Sequence, residues 1–136
     1  MKHICAVVLG LVIPVAGMAS DCRQALALGL DVSGSVDARE YRLQMGGVAT
    51  ALDAPEVREK LLSMPTAPVA LMVYEWSGPN DQAIIVPWTR VETNATIDTI
   101  IETLRQTTRR DATPGTALGV AMRLGQIYLA QQPTCW

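Results

Sequence analysis

The stretch that decides the fold lies between residues 28 and 36 and reads Leu28-Gly29-Leu30-Asp31-Val32-Ser33-Gly34-Ser35-Val36. It overlaps a short, continuously apolar run, residues 25–30. A run this short is more typical of a strand covered on both faces of a sheet than of a buried helix. The sequence therefore predicts a central strand over residues 25–30 that ends in a polar turn.

Three residues of this turn, Asp31, Ser33 and Ser35, are candidate functional residues, because open α/β sheets bind ligands at the carboxyl ends of their strands. One carboxylate and two hydroxyls at alternate positions of an extended turn can point toward a common centre. Such oxygen donors favour Mg²⁺, Mn²⁺ or Ca²⁺ over zinc or copper, and Gly34 permits close approach of the backbone. The alternative is that these residues only cap the following helix.

Hydrophobic periodicity predicts helices in the rest of the chain. Polar residues open the predicted helices, at Asp37, at Asp53 as the cap of a short helix, at Thr93 or Asn94, and at Thr116. The first helix carries an apolar stripe of Tyr41, Met45, Val48 and Leu52. The last helix carries Leu118, Met122, Gly125 and Leu129 on one face and ends near Gln131.

Two further strands are predicted over residues 69–76 and 83–91. The turn cluster Gly78-Pro79-Asn80-Asp81 separates them, and so short a connection joins only antiparallel neighbours. Pro87 makes the second strand an edge strand. The order of strand, helices, hairpin and two helices predicts an α/β fold with a doubly wound, mostly parallel sheet and one antiparallel edge strand.

Residues 28–36 closely resemble the first motif of the von Willebrand factor type A fold, in which an Asp-x-Ser-x-Ser loop forms most of a metal-ion-dependent adhesion site. The turn Gly115-Thr116-Ala117-Leu118-Gly119 resembles that family's second motif, a threonine that opens a later helix. More narrowly, the chain is similar to a bacterial family of secreted, functionally uncharacterised proteins with this fold, through residues 73–77 and the terminal Cys135-Trp136. The resemblance covers residues 22–136.

The resemblance implies a metal site and a partner. Ser33, Ser35 and Thr116 would contact the ion, Mg²⁺ or else Mn²⁺ or Ca²⁺, through their hydroxyls. Asp31 would act mainly through a bridging water. An Asp or Glu carboxylate of a partner protein would fill the open position. This describes a protein-binding module that is not an enzyme.

One motif of that family has no counterpart in the 136 residues, namely an aspartate in an Asp-Gly turn after the fourth strand. We therefore expect residues 22–136 to hold only the N-terminal portion of the fold, without its second half and with an incomplete metal site. Asp111 lies near Thr116 and is a candidate substitute ligand.

The first nineteen residues read as a signal peptide. Lys2 and His3 precede an almost wholly apolar segment, residues 4–15, and small residues then predict cleavage after Ala19, or else after Ser20. Asp21 before Cys22 argues against a lipoprotein signal. No later segment reaches the roughly 18 apolar residues of a membrane helix. We expect an exported protein, periplasmic or extracellular, without a membrane span.

Cleavage of the predicted signal peptide would remove Cys5, so the mature chain would keep two of the three cysteines, Cys22 and Cys135. In an oxidising compartment they have one possible intrachain pairing. The alternative is two buried free thiols. In the fold that the resemblance implies, the two cysteines precede adjacent parallel strands, within reach of a disulfide.

Charge and histidine content exclude several functions. Eleven basic and 13 acidic residues give a net charge of −2, which argues against a nucleic-acid partner. The single histidine, His3, lies in the leader, so the mature chain cannot build a Ser-His-Asp triad or a histidine zinc site. Two alternatives to a binding module remain open: a non-functional fragment, or a magnesium-dependent hydrolase or phosphotransferase that uses Asp31 as nucleophile or Ser33 as acceptor.

The sequence leaves the roles of three charged residues undecided. Glu75 follows an apolar strand and is either a buried acid or a surface charge of the hairpin. The pair Arg109-Arg110 is either a solvated part of a loop or the rim of the metal site.

Overall fold

The computed structural model of this protein describes residues 22–135, and these residues form a mixed three-stranded sheet with four helices. The elements in chain order are β1 (Gln24–Asp31), α1 (Ala38–Asp53), α2 (Pro55–Leu62), β2 (Val69–Trp76), β3 (Gln82–Val91), α3 (Asn94–Gln106) and α4 (Leu118–Leu129). The α/β class is therefore confirmed. The predicted leader and Trp136 lie outside the described residues.

The described strands follow the order β1-β2-β3. β1 pairs with β2 in parallel, from Gln24 opposite Val69 to Asp31 opposite Trp76, and β2 pairs with β3 in antiparallel fashion. The prediction that β1 is the central strand is wrong for this sheet. β2 is central and buried along its whole length because it has a neighbour on each side, whereas β1 is mostly half-buried.

The hairpin prediction is confirmed, and so is the edge position of β3 within the described sheet. The β2–β3 register shifts between Leu71, which faces Thr89, and Val73, which faces Val86. Two residues of β3, Pro87 and Trp88, therefore lie opposite one residue of β2, Met72. This irregularity accommodates Pro87, which has no N–H to donate to a regular ladder.

The main core lies on the face of the sheet that α1 and α3 cover. Leu71 and Val73 of β2 project to this face. The helices contribute buried apolar residues, namely Tyr41, Met45, Ala49, Leu52, Ile97, Ile100, Ile101 and Leu104. Ala49 is buried and Val48 only half-buried, so the buried stripe of α1 is rotated slightly from the predicted one.

α4 covers the opposite face, where Tyr74, Trp76 and Ala121 form a second cluster. The Tyr74 hydroxyl donates to the carbonyl of Ala121 over 3.1 Å. A Cβ at Gly29 would lie 2.6 Å from this hydroxyl and one at Gly125 2.9 Å from it. The two glycines therefore make room for the phenol between β1 and α4.

Of the predicted apolar face of α4, Gly125 lies against the sheet beside Tyr74, but the three large residues do not. Leu118, Met122 and Leu129 are 57%, 68% and 43% exposed. The small Ala121 is buried instead, because the Tyr74 ring already fills the space beneath the helix. Helices therefore lie on both faces of the sheet, as predicted, but the orientation of α4 differs.

Two of the four predicted helix starts are confirmed. Asp37 caps α1 in a capping box with Glu40, and Thr93 caps α3. Asp53 does not cap α2. It is the last residue of α1, and its carboxylate accepts from the Arg58 guanidinium. α4 begins later than predicted, at Leu118.

A disulfide joins Cys22, just before β1, to Cys135, beyond α4, with 4.8 Å between the Cα atoms. The predicted pairing is thus present, and the alternative of two free thiols is wrong. Within residues 22–135, none of the helices combines the length and the apolar character needed to cross a membrane.

Candidate functional site

The candidate site lies at the edge of the sheet where the two parallel strands end. Asp31 closes β1 opposite Trp76, the last residue of β2, so both strands end at the same level. Residues 107–117, here called the crossover loop, connect α3 on one face of the sheet to α4 on the other. The crossover loop therefore passes over the strand ends.

The loop after β1 is held by its own hydrogen bonds. The Asp31 carboxylate accepts from the backbone N–H of Ser33 over 2.8 Å through Oδ1, and the N–H of Val36 donates to the Ser33 carbonyl over 2.9 Å. Ser33 is buried, Asp31 half-buried and Ser35 exposed. Since Asp37 caps α1, the alternative that Asp31, Ser33 and Ser35 serve as the helix cap is wrong.

The crossover loop meets this first loop directly. The N–H of Gly34 donates to the carbonyl of Pro114 over 3.2 Å. A Cβ at Gly34 would lie 2.8 Å from the Pro114 Cβ, so the contact requires a glycine. Thr116 follows two residues after Pro114 and is exposed. The structure thus brings together the two segments that carry the four predicted ligands.

A second bond fixes the end of the crossover loop. The N–H of Ala117 donates to the carbonyl of Ser77 over 2.7 Å. Because Ser77 directly follows β2, this bond ties the residue after Thr116 to the same edge of the sheet.

The donor set at this edge fits a hard divalent ion. It consists of one carboxylate, Asp31, and the hydroxyls of Ser33, Ser35 and Thr116, all of them oxygen donors. The Asp31 carboxylate accepts from the Ser33 N–H through Oδ1. Among residues 22–135, no three His, Cys, Asp or Glu side chains are grouped so as to hold a metal.

A charged cluster of Glu75, Arg110 and Asp81 lies beside these loops. Glu75 is buried, and its carboxylate accepts from the Tyr41 hydroxyl over 2.9 Å and from Nε of Arg110. Arg110 also donates to Asp81 through Nη1. Glu75 is thus a buried acid, and Arg110 is held by ion pairs with Glu75 and Asp81 rather than being a freely solvated part of the loop.

Asp81 connects this charged cluster to the crossover loop. Its carboxylate accepts from the Ser77 hydroxyl over 2.9 Å and from the backbone N–H of Thr113. The Thr113 N–H, followed by the Arg110 guanidinium, holds the pKa of Asp81 well below its usual range. Burial, followed by the hydrogen bond to Glu75, raises the pKa of the Tyr41 hydroxyl.

The low pKa of Asp81 predicts a pH-dependent stability. A carboxyl whose pKa is lower in the folded than in the unfolded state stabilises the fold above its unfolded pKa, about 4, and this contribution is lost as the pH falls toward the folded pKa. We expect Asp81→Asn to lower the free energy of unfolding by roughly 1–2 kcal/mol at neutral pH. The difference from the wild type should narrow below about pH 4.

Denaturant unfolding between pH 7 and pH 2 measures this difference. Asp111→Asn, at an exposed position of the same loop, is the control and should track the wild type. If the free energies of unfolding of Asp81→Asn and the wild type differ by the same amount at every pH, the stability does not depend on the ionisation of Asp81.

Arg109 holds the loop after β1 at both of its ends. Its Nε donates to the Val36 carbonyl over 3.1 Å and its Nη2 to the Val32 carbonyl over 3.4 Å. These two carbonyls flank the segment that contains Ser33 and Ser35.

The sequence alone left the roles of Arg109 and Arg110 open. One signal could have identified the role of Arg110: Glu75 is a lone acid in an otherwise apolar strand, and such an acid needs a cationic partner when it is buried.

A solved structure with a similar fold is that of the pilus adhesin SpaC from Lactobacillus rhamnosus GG in its open conformation. The TM-score is 0.53 at 16% sequence identity, and the match covers 81% of this chain. The chain spans only 13% of the length of that protein, so the likeness concerns the fold alone. Among curated proteins, none matches this sequence.

A family comparison gives the clearest assignment. The family described as "Protein of unknown function (DUF1194)" matches residues 21–136, which is most of the chain. The chain therefore belongs to this family of proteins of unknown function, DUF1194.

Proposed function

We propose that this chain is a non-enzymatic, protein-binding module that recognises a carboxylate of its partner through a divalent cation. The observation that carries the proposal is the contact between Gly34 and Pro114. It places the Asp31–Ser35 loop against the turn that contains Thr116. In this proposal, two segments about eighty residues apart in sequence supply oxygen donors to one place at the sheet edge.

In this proposal, the hydroxyls of Ser33, Ser35 and Thr116 hold the ion, and Asp31 orients a water beside it. The preferred ion is Mg²⁺, with Mn²⁺ and Ca²⁺ as alternatives, because all donors are hard oxygens. When bound, the ion supplies a positive centre that retains an open coordination position. The hydrogen bond from the Ser33 N–H to Asp31 fixes the carboxylate, while Gly34 permits the approach of the second loop.

Charge explains why the partner would present an Asp or Glu. The proposed donor set contains one carboxylate and three neutral hydroxyls, so a divalent ion keeps about one unit of positive charge. An external carboxylate neutralises that charge and adds an oxygen ligand. No bond needs to be made or broken, which favours adhesion over catalysis.

We further propose that the described strands and helices have the arrangement of a von Willebrand factor type A-like, doubly wound fold. The parallel β1–β2 pair, the antiparallel β3 and helices on both faces support this assignment. The similarity to the fold of a pilus adhesin agrees with it.

Export to the periplasm or the cell exterior belongs to the same proposal. The Cys22–Cys135 disulfide supports it, because structural disulfides persist in oxidising compartments. Residues 1–19, which have the pattern of a signal peptide, would supply the export signal.

Calorimetric titration with Mg²⁺ and Mn²⁺ tests the proposed site. Ser33→Ala combined with Ser35→Ala removes two of the three hydroxyl ligands and is expected to abolish measurable binding. Thr116→Ala, on the other loop, should weaken binding by about tenfold or more. The physical reason is that a hard ion is held by the sum of its oxygen contacts.

The matched control is Thr99→Ala combined with Thr103→Ala, which removes two hydroxyls from α3, away from the candidate site. This variant should bind as the wild type does. Equal binding by the wild type and the Ser33/Ser35 variant would refute the site, and so would an absence of binding to the wild type.

A further inference from the structure

We propose that Arg109 and Arg110 are positioning residues that hold the two loops of the cation site together before an ion binds. This inference rests on the proposed function and extends it to residues outside the proposed ligands. Both arginines lie in the crossover loop, which carries Thr116. Each reaches a different part of the sheet edge.

Arg109 fixes the loop that contains the serines. Its guanidinium donates to the Val36 carbonyl over 3.1 Å and to the Val32 carbonyl over 3.4 Å. One planar group therefore bridges the two ends of the segment that carries Ser33 and Ser35. Since Arg109 itself belongs to the crossover loop, the same two bonds set the distance between the loops.

Arg110 fixes the crossover loop to the ends of β2 and β3. Its guanidinium pairs with the buried Glu75 of β2 and with Asp81, which directly precedes β3. Asp81 in turn accepts from the backbone N–H of Thr113. The crossover loop is therefore attached at two points, three residues apart, just before the Gly115-Thr116 turn.

Arginine suits this role because it presents several donors in a rigid plane and keeps its charge at all relevant pH values. The carboxylates of Glu75 and Asp81 outnumber the single guanidinium of Arg110, so the cluster has a net charge of −1 and would not repel a nearby cation. A site held in this way does not need the ion to order its loops. The entropic cost of ordering the loops is met on folding, and the affinity for the ion is higher as a result.

The test compares Arg109→Gln and Arg110→Gln with the matched control Arg58→Gln. Arg58 also bridges two carboxylates, those of Asp53 and Asp98, but it does so where α1, α2 and α3 meet. Calorimetric titration with Mg²⁺ should show binding weakened by about 10- to 100-fold in the two crossover-loop variants, as for residues that orient metal ligands. Arg58→Gln should bind Mg²⁺ as the wild type does.

A second measurement needs no metal. Hydrogen exchange of the Thr113 and Ala117 amides should be faster in Arg110→Gln than in Arg58→Gln, because these amides donate to Asp81 and Ser77 at the strand ends. If Arg110→Gln does not fold, Arg109→Gln decides the question, since Arg109 bonds only to backbone carbonyls in the described structure.

The outcomes separate this inference from the proposed function. If the wild type binds Mg²⁺ and both crossover-loop variants bind it equally well, the positioning role is wrong and the cation site stands. If the wild type does not bind Mg²⁺ or Mn²⁺, the proposed function fails, and the positioning role fails with it.

Discussion

Loss of the Cys22–Cys135 disulfide is expected to lower the free energy of unfolding by about 5 kcal/mol. The cysteines are 113 residues apart, so the bond restricts almost the whole described chain in its unfolded state. The chain-entropy treatment gives about 4.7 kcal/mol for a loop of about 100 residues. Because typical domains have only about 5–15 kcal/mol of stability, we expect the reduced protein to be largely unfolded at 37 °C.

Denaturant unfolding of the oxidised protein and of Cys22→Ser combined with Cys135→Ser measures this loss. Addition of a reductant should destabilise the wild type and leave the double variant unchanged. Each single variant should be about as unstable as the double variant, because either change removes the bond. A double variant as stable as the oxidised wild type would contradict the expected constraint.

Replacement of Arg110 by methionine is expected to destabilise the fold by about 3 kcal/mol. The change leaves the buried Glu75 carboxylate with the Tyr41 hydroxyl as its hydrogen-bond donor in the described structure. A buried charge without its ionic partner is costly because the protein interior solvates it poorly. The Arg110 side chain is 33% exposed, which places the expected loss at the lower end of the usual range.

A double-mutant cycle identifies the cause. Arg110→Met combined with Glu75→Gln removes the charge together with its partner, so we expect it to be more stable than the sum of the single losses predicts, by at least about 1 kcal/mol. Arg58→Met should cost much less, because the carboxylates of Asp53 and Asp98 are 48% and 64% exposed. Additive losses for Arg110 and Glu75 would rule out a coupled buried pair.

The strands of the hairpin were predictable because local chemistry determines them. The turn cluster of residues 78–81 and the β-favouring residues on either side place β2 and β3 within one residue of their observed ends. The start of α1 was predictable for the same reason, since Asp37 and Glu40 form a capping box within the sequence itself.

The packing of α4 was not predictable from periodicity. The helix is apolar on more than one side, so several of its faces could have met the sheet. The position of the Tyr74 ring, held between Gly29 and Gly125, decides which face is buried. Similarly, aspartate is a residue type that often caps helices, but in the structure the Asp53 carboxylate accepts from the Arg58 guanidinium instead.

At the candidate site, the sequence suggested the proposed ligands but not the charged residues that fix the two loops. Asp31, Ser33 and Ser35 form a recognisable local motif, and the resemblance added Thr116. The cluster of Glu75, Arg110 and Asp81 depends on contacts between positions about thirty residues apart. Only the folded path of the crossover loop brings these charges together.

Nuclear magnetic resonance with Mn²⁺ as a paramagnetic probe tests the central claim, that both loops hold one cation. Substoichiometric Mn²⁺ should broaden the amide signals of Ser33, Ser35 and Thr116 together and before others, and an excess of Mg²⁺ should restore them. If the signals of one loop broaden without those of the other, or if broadening follows exposed acidic residues elsewhere, the two loops do not share a cation.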